Sequence, residues 1–105
     1  MPFKEVDPLS LERLRSEGEV VVLDVRTEIE FAHGTLQGAK HMPLHILPLV
    51  ADQLESERPM VFICRSGARS AQACAFLASK GFENIYNLRG GVMGWVQAGK
   101  ALAAA

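Results

Sequence analysis

The 105 residues suffice for one ordinary domain, expected to span 1–105, and hydrophobic side chains at 49% with charged ones at 22% describe a globular chain, not a disordered one. Eleven basic residues against twelve acidic ones leave a net charge of −1, which argues against a general nucleic-acid binder and confines any anion site to a local arrangement. The N-terminal MPFKEVDP lacks the apolar run of a secretory signal, and no stretch reaches the roughly 18 apolar residues of a membrane span. A cytoplasmic protein with no nucleic-acid or membrane partner is expected. Its two cysteines, Cys64 and Cys74, do not make the disulfide framework of a secreted domain.

Along the chain, Asp7-Pro8 reads as a helix N-cap followed by proline at the first helical position, and Gly18 ends that helix. The β-branched run Val20–Val25 fits a strand buried on both faces. Glu28 to Ala32 reads as one helical turn closed by Gly34, and Ala39 to Met42 as a short strand stopped by Pro43. Leu47, Val50, Ala51 and Leu54 recur at helical spacing, so a helix is expected over roughly 47–56, with Pro48 in its first turn. Met60–Ile63 is a second apolar strand. The alanine-rich segment after Gly67 is a helix that ends at Lys80-Gly81. Asn84–Leu88 is a last strand, Gly90-Gly91 a turn, and Val92–Ala98 a short helix holding Trp95; the final ALAAA reads as a fraying helix end. Strands alternating with helices predict an α/β domain with a mainly parallel sheet, in which ligands bind beyond the carboxyl ends of strands. Cys64 stands at such an end.

The segment Cys64-Arg65-Ser66-Gly67-Ala68-Arg69-Ser70 carries the chemistry. A helix starting near Gly67 leaves its first N–H groups unpartnered, and those donors with the helix dipole favour negative charge. Curled into a loop, they form an anion nest. Gly67 permits the unusual backbone angle this needs, and Arg65 and Arg69 add local positive charge. A thiol placed there ionises easily and acts as a nucleophile without a separate base. Cys74, inside the helix, reads as a buried small hydrophobe too far along the chain to pair with Cys64. His33, His41 and His45 read as structural or surface residues, Trp95 as core, and Asp24 with Arg26 as an ion pair at a strand end.

The chain resembles the rhodanese (thiosulfate sulfurtransferase) family, specifically its single-domain members, along nearly its whole length. Cys64–Ser70 looks like the family's active-site loop. Asp24-Val25-Arg26 with Glu30-Phe31 is similar to its first signature, Gly34-Thr35-Leu36-Gln37-Gly38-Ala39 with Pro43 to its second, and Tyr86, Leu88, Gly90-Gly91 and Trp95 to its closing one. One position departs: the family's histidine after the first glycine is Thr35 here, with His33 just before that glycine. The resemblance implies a mainly parallel five-stranded sheet flanked by helices on both faces. It also implies catalysis by Cys64, a substrate site formed by Arg65, Ser66, Gly67, Ala68, Arg69 and Ser70, and a supporting role for Asp24 and Arg26.

The reaction so implied is transfer of a sulfane sulfur from thiosulfate, or a similar donor, to cyanide or a thiol, including a protein thiol, through a Cys64 persulfide. Arg65 and Arg69 would meet the donor's charge. No metal or organic cofactor is implied. Two other readings share these residues. A sulfur relay, sensor or interaction module would use the same persulfide with low turnover. A phosphatase or arsenate reductase would also cradle an anion over a loop cysteine, but with a longer loop than the four residues between Cys64 and Arg69.

Overall fold

The computed structural model describes residues 3–55 and 57–105. Five parallel strands form one sheet in the order β1-β5-β4-β2-β3: β1 Lys4–Val6, β2 Val21–Asp24, β3 Lys40–His41, β4 Met60–Ile63 and β5 Ile85–Leu88. The α/β class and the flanked parallel sheet expected from the sequence are what the chain adopts.

The two central strands are apolar because each faces protein on both sides. Val22, Val61 and Ile63 point to one face and meet Leu11 of α1 (Pro8–Glu17) and Val92 and Trp95 of α5 (Gly91–Gln97). Leu23, Met60 and Phe62 point to the other and meet Leu47 of α3 (Leu47–Val50) and Ala73, Cys74 and Leu77 of α4 (Ala68–Ser79). The remaining short helix, α2 (Glu28–Ala32), follows β2. Asp7 caps α1 by accepting the main-chain N–H of Ser10 at 2.8 Å, with Pro8 in the first turn. No helix among the described residues is long and apolar enough to cross a membrane.

Three segments differ from the sequence reading. Lys4–Val6 is a strand although nothing in its composition marks it; register with Tyr86, Asn87 and Leu88 of β5 makes it one. The helix expected over 47–56 stops at Val50 and tightens into a 3₁₀ turn at Ala51–Gln53, after which Leu54 is extended; residue 56 lies outside the described residues. The C-terminal alanines are not a fraying helix end. Ala103 exchanges two main-chain hydrogen bonds with Thr35, at 2.9 and 2.7 Å, and Leu102 packs beside Gly34.

The order in which strands are laid down reverses between the parallel neighbours β2 and β4: β2 leads outward to β3, and β4 leads the other way to β5. The crevice at that switch lies between Asp24, which ends β2, and Cys64, which follows β4.

Candidate active site

Cys64 is only 1% exposed, at the floor of a loop. Gly67 takes φ +103°, a left-handed turn that costs glycine little, and α4 begins at the next residue. That turn brings the Gly67 N–H to 3.0 Å from Cys64 Sγ. Ser70, within the first turn of α4, places its hydroxyl oxygen 3.3 Å from the same sulfur. Arg65, Ser66 and Ala68 are exposed along the rim.

Burial pushes the Cys64 thiol up. The Ser70 hydroxyl and the main-chain N–H groups of Ser70, Gly67 and Ser66 push it down and prevail, leaving it below the ordinary thiol range. Cys74 is pushed up to about 12, by burial first and then by the charge of Glu5. A small alkylating reagent is therefore expected to modify Cys64 below the usual thiol pKa of about 8.5, and far faster than Cys74. Equal rates for the two in the folded protein would remove the case for an activated sulfur.

Arg69 does not stand open. Its guanidinium makes a two-pronged bond to Glu30, at 2.6 and 2.8 Å. Glu30 is also the third residue of α2, where it accepts the N–H of Thr27 while its own N–H donates to the Thr27 hydroxyl, a reciprocal cap. These bonds, those from Arg69 foremost, hold the Glu30 carboxyl at about 2 against a smaller opposing effect of burial. The sequence presents Arg65 and Arg69 as two equivalent cations; the fold ties Arg69 to Glu30 and leaves Arg65 exposed on the loop.

Asp24 is fully buried and accepts the Arg26 main-chain N–H at 3.0 Å, the Arg26 guanidinium through Nε and Nη2 at 2.8–3.1 Å, and the Thr35 hydroxyl at 2.9 Å. Arg26 Nη2 also donates to the Gly34 carbonyl at 2.6 Å. Thr35, the departure from the family pattern, thus hydrogen-bonds directly to the buried carboxylate. His41 stacks on Phe31 with ring centroids 4.4 Å apart and bonds the Arg26 carbonyl; His33 bonds the Ile29 carbonyl. His45 rims a cleft of about 600 Å³ beside Arg69, walled by Val25, Pro43, Leu44 and Ile46, a size suited to a small molecule. Trp95 is core, its indole N–H donating to the Ala101 carbonyl.

In the sequence Gly90-Gly91 reads as a turn. The structure makes Gly91 part of the loop's support: the Val92 and Met93 N–H groups donate to the Cys64 and Arg65 carbonyls at 2.8 and 3.0 Å, with Gly91 pressed against both. Asn87, which the sequence did not single out, reaches Ser70 from β5. The sequence signals for Gly91 are two adjacent glycines before a helix and their match to the family's closing signature; Asn87 has none beyond being a polar residue in an apolar strand.

A cysteine seated in a short ring of N–H groups at the carboxyl end of a parallel sheet defines a rhodanese-type site. The family model described as rhodanese-like domain matches residues 7–98, and the chain belongs to that family. A protein of Allochromatium vinosum named sulfurtransferase is 40% identical over 101 residues, covering 95% of this chain and 94% of that protein. The thiosulfate sulfurtransferase GlpE of Ectopseudomonas mendocina is 37% identical over 93 residues, covering 89% and 84%. The crystal structure of a rhodanese-related protein from Thermoplasma volcanium superposes with a TM-score of 0.87 at 28% identity, covering 96% and 98%. Family and relatives together place this chain among the sulfurtransferases.

Proposed function

We propose that the protein is a cytoplasmic thiosulfate sulfurtransferase that carries sulfur as a persulfide on Cys64. The observation that carries this reading is the Gly67 N–H aimed at Cys64 Sγ from a loop with four residues between Cys64 and Arg69. A loop of that length suits one sulfur atom bonded to Cys64 better than a tetrahedral phosphate.

In the first step the Cys64 thiolate attacks the outer sulfur of thiosulfate. The new S–S bond forms as the old one breaks, and sulfite leaves with the electron pair. Arg65, exposed on the loop, meets the donor's charge, and Arg69 meets it only in competition with Glu30. The loop N–H groups hold the terminal persulfide anion. In the second step cyanide or a thiolate attacks that terminal sulfur and regenerates the Cys64 thiolate.

Intact mass after thiosulfate treatment tests this directly. The expected result is a gain of one sulfur atom, reversed by cyanide or a thiol, absent in Cys64→Ser and retained in Cys74→Ser. Efficient hydrolysis of aryl phosphates with no sulfur adduct would overturn the reading. An adduct that forms and discharges to a thiol without multiple turnover would favour a sulfur relay.

A further inference from the structure

Asn87 lies in β5 with Glu5 of β1 as its register partner. Its amide nitrogen donates to the Glu5 carboxylate at 3.0 Å and to the Gly67 carbonyl at 3.2 Å. An ionised carboxylate and a carbonyl are acceptors only, so turning the amide over would set oxygen against oxygen twice. The orientation is thereby dictated, and it aims the amide oxygen at the Ser70 hydroxyl oxygen, 2.5 Å away. Ser70 is fully buried, and that same oxygen lies 3.3 Å from Cys64 Sγ.

A hydroxyl carries one hydrogen and cannot donate in both directions. With Cys64 as a thiol, its S–H donates to Ser70, Ser70 donates to Asn87, and every group is satisfied. With Cys64 as a thiolate, Ser70 can serve the sulfur only by leaving two buried oxygens face to face with no proton between them. We propose that Asn87 and Glu5 are positioning residues of the active site: Asn87 competes with the Cys64 thiolate for the single proton of Ser70, and Glu5 sets the strength of that competition by fixing the amide's orientation.

The consequence is a thiolate stabilised mainly by main-chain N–H groups, with a partial bond from Ser70. A full bond from Ser70 would ionise the sulfur more readily but blunt it, because thiolate nucleophilicity falls with basicity. The charged and titratable groups around this chain of contacts are Arg65 and Arg69 of the loop, the Asp24–Arg26 pair at the end of β2, Arg89 at 3.5 Å from Glu5, and Cys74 in α4. The competition rests on Cys64 as the reactive sulfur and is independent of the donor and acceptor.

The test is the pH dependence of Cys64 alkylation by iodoacetamide with no sulfur donor present, in Glu5→Gln, Asn87→Ala, Ser70→Ala and the two double variants with Ser70→Ala. Asn87→Ala is expected to lower the midpoint by about one pH unit, the worth of a hydrogen bond to a charged group, and Glu5→Gln by less, because the Gly67 carbonyl still orients the amide. Asn87→Ala is also expected to reduce the high-pH limiting rate roughly threefold, and Glu5→Gln to reduce it by less. Ser70→Ala alone raises the midpoint, and in its background neither other substitution shifts it. Lowering that persists without Ser70 would mean a through-space charge effect and would overturn the assignment, as would no lowering in either single variant. A shift in Asn87→Ala alone would remove Glu5 from the arrangement. Should Asn87→Ala fail to fold, Asn87→Leu, which keeps the volume and removes the amide oxygen, takes its place and is read in the same way. Failure of the native protein to label at Cys64 would instead count against Cys64 itself, so the two failures are distinguishable.

Discussion

Gly91→Ala is expected to slow persulfide formation by on the order of 10²-fold while leaving a protein that is still substantially folded. A Cβ at this position would lie 2.4 Å from the Cys64 carbonyl oxygen and 2.5–2.6 Å from the Arg65 carbonyl, all of them backbone atoms that cannot swing aside. The residue also sits at φ +59°, where an L side chain costs about 1–2 kcal/mol. Relief of the overlap requires the Cys64–Arg65 backbone and the start of α5 to separate, which strains the bonds from Val92 and Met93 that anchor the loop. Overpacking of this kind costs typically 1–3 kcal/mol more. The functional loss should be larger in proportion, because a displacement of about 1 Å at a reacting centre is worth on the order of 10²-fold in rate. Chemical denaturation, Cys64 alkylation and sulfur loading by mass, measured on one preparation, check this. Gly18→Ala is the control, since Gly18 is extended at φ 169° with open space around it and should change neither quantity appreciably. Full activity in Gly91→Ala would show that the loop does not depend on α5.

Asp24→Ala is expected to destabilise the fold by about 3–5 kcal/mol, the usual consequence of leaving a buried charge without its partner. Arg26 is 6% exposed and relies on Asp24 for its charge, while the Thr35 hydroxyl and the Arg26 N–H lose an acceptor with it. Thr35 is also the residue to which Ala103 is paired, so the C-terminal segment should loosen too. Arg26→Met should cost less, because the remaining carboxylate keeps two other donors. The double variant Asp24→Leu with Arg26→Met should be more stable than Asp24→Ala alone, since it removes the uncompensated charge. Urea denaturation of the three variants decides the matter. A loss below about 1 kcal/mol in Asp24→Ala would mean that the pair contributes no more than a surface ion pair does.

Much of the site could be read from the linear chain because its chemistry is local. Cys64, the glycine that turns the loop and the helix start after it occupy seven consecutive residues, and no tertiary contact is needed to see that N–H groups will face the thiol. Four of the five strands and the long helices are likewise legible, from apolar runs, the stop at Pro43, Asp7-Pro8 and Lys80-Gly81. The edge strand Lys4–Val6 was not, since three residues with two charges have no period to read and acquire their conformation from β5. Helix α3 fell short of its apolar spacing because that spacing shows which side chains can share a face, not where the backbone stops.

The sequence by itself determined the fold class, the placing of Cys64 at the carboxyl end of a strand and the N–H-rich loop after it, because hydrophobic period, turn chemistry and a helix terminus all act between near neighbours. Only the tertiary structure decided that Arg69 is spent on Glu30, that Gly91 presses on the loop, that Asn87 reaches the Ser70 hydroxyl, and that Ala103 pairs with Thr35. Each of these joins residues at least 17 positions apart, from Ser70–Asn87 to the longer span between Thr35 and Ala103. Such contacts depend on strand order and register, which are set by how both faces of the sheet are buried at once and not by any local pattern.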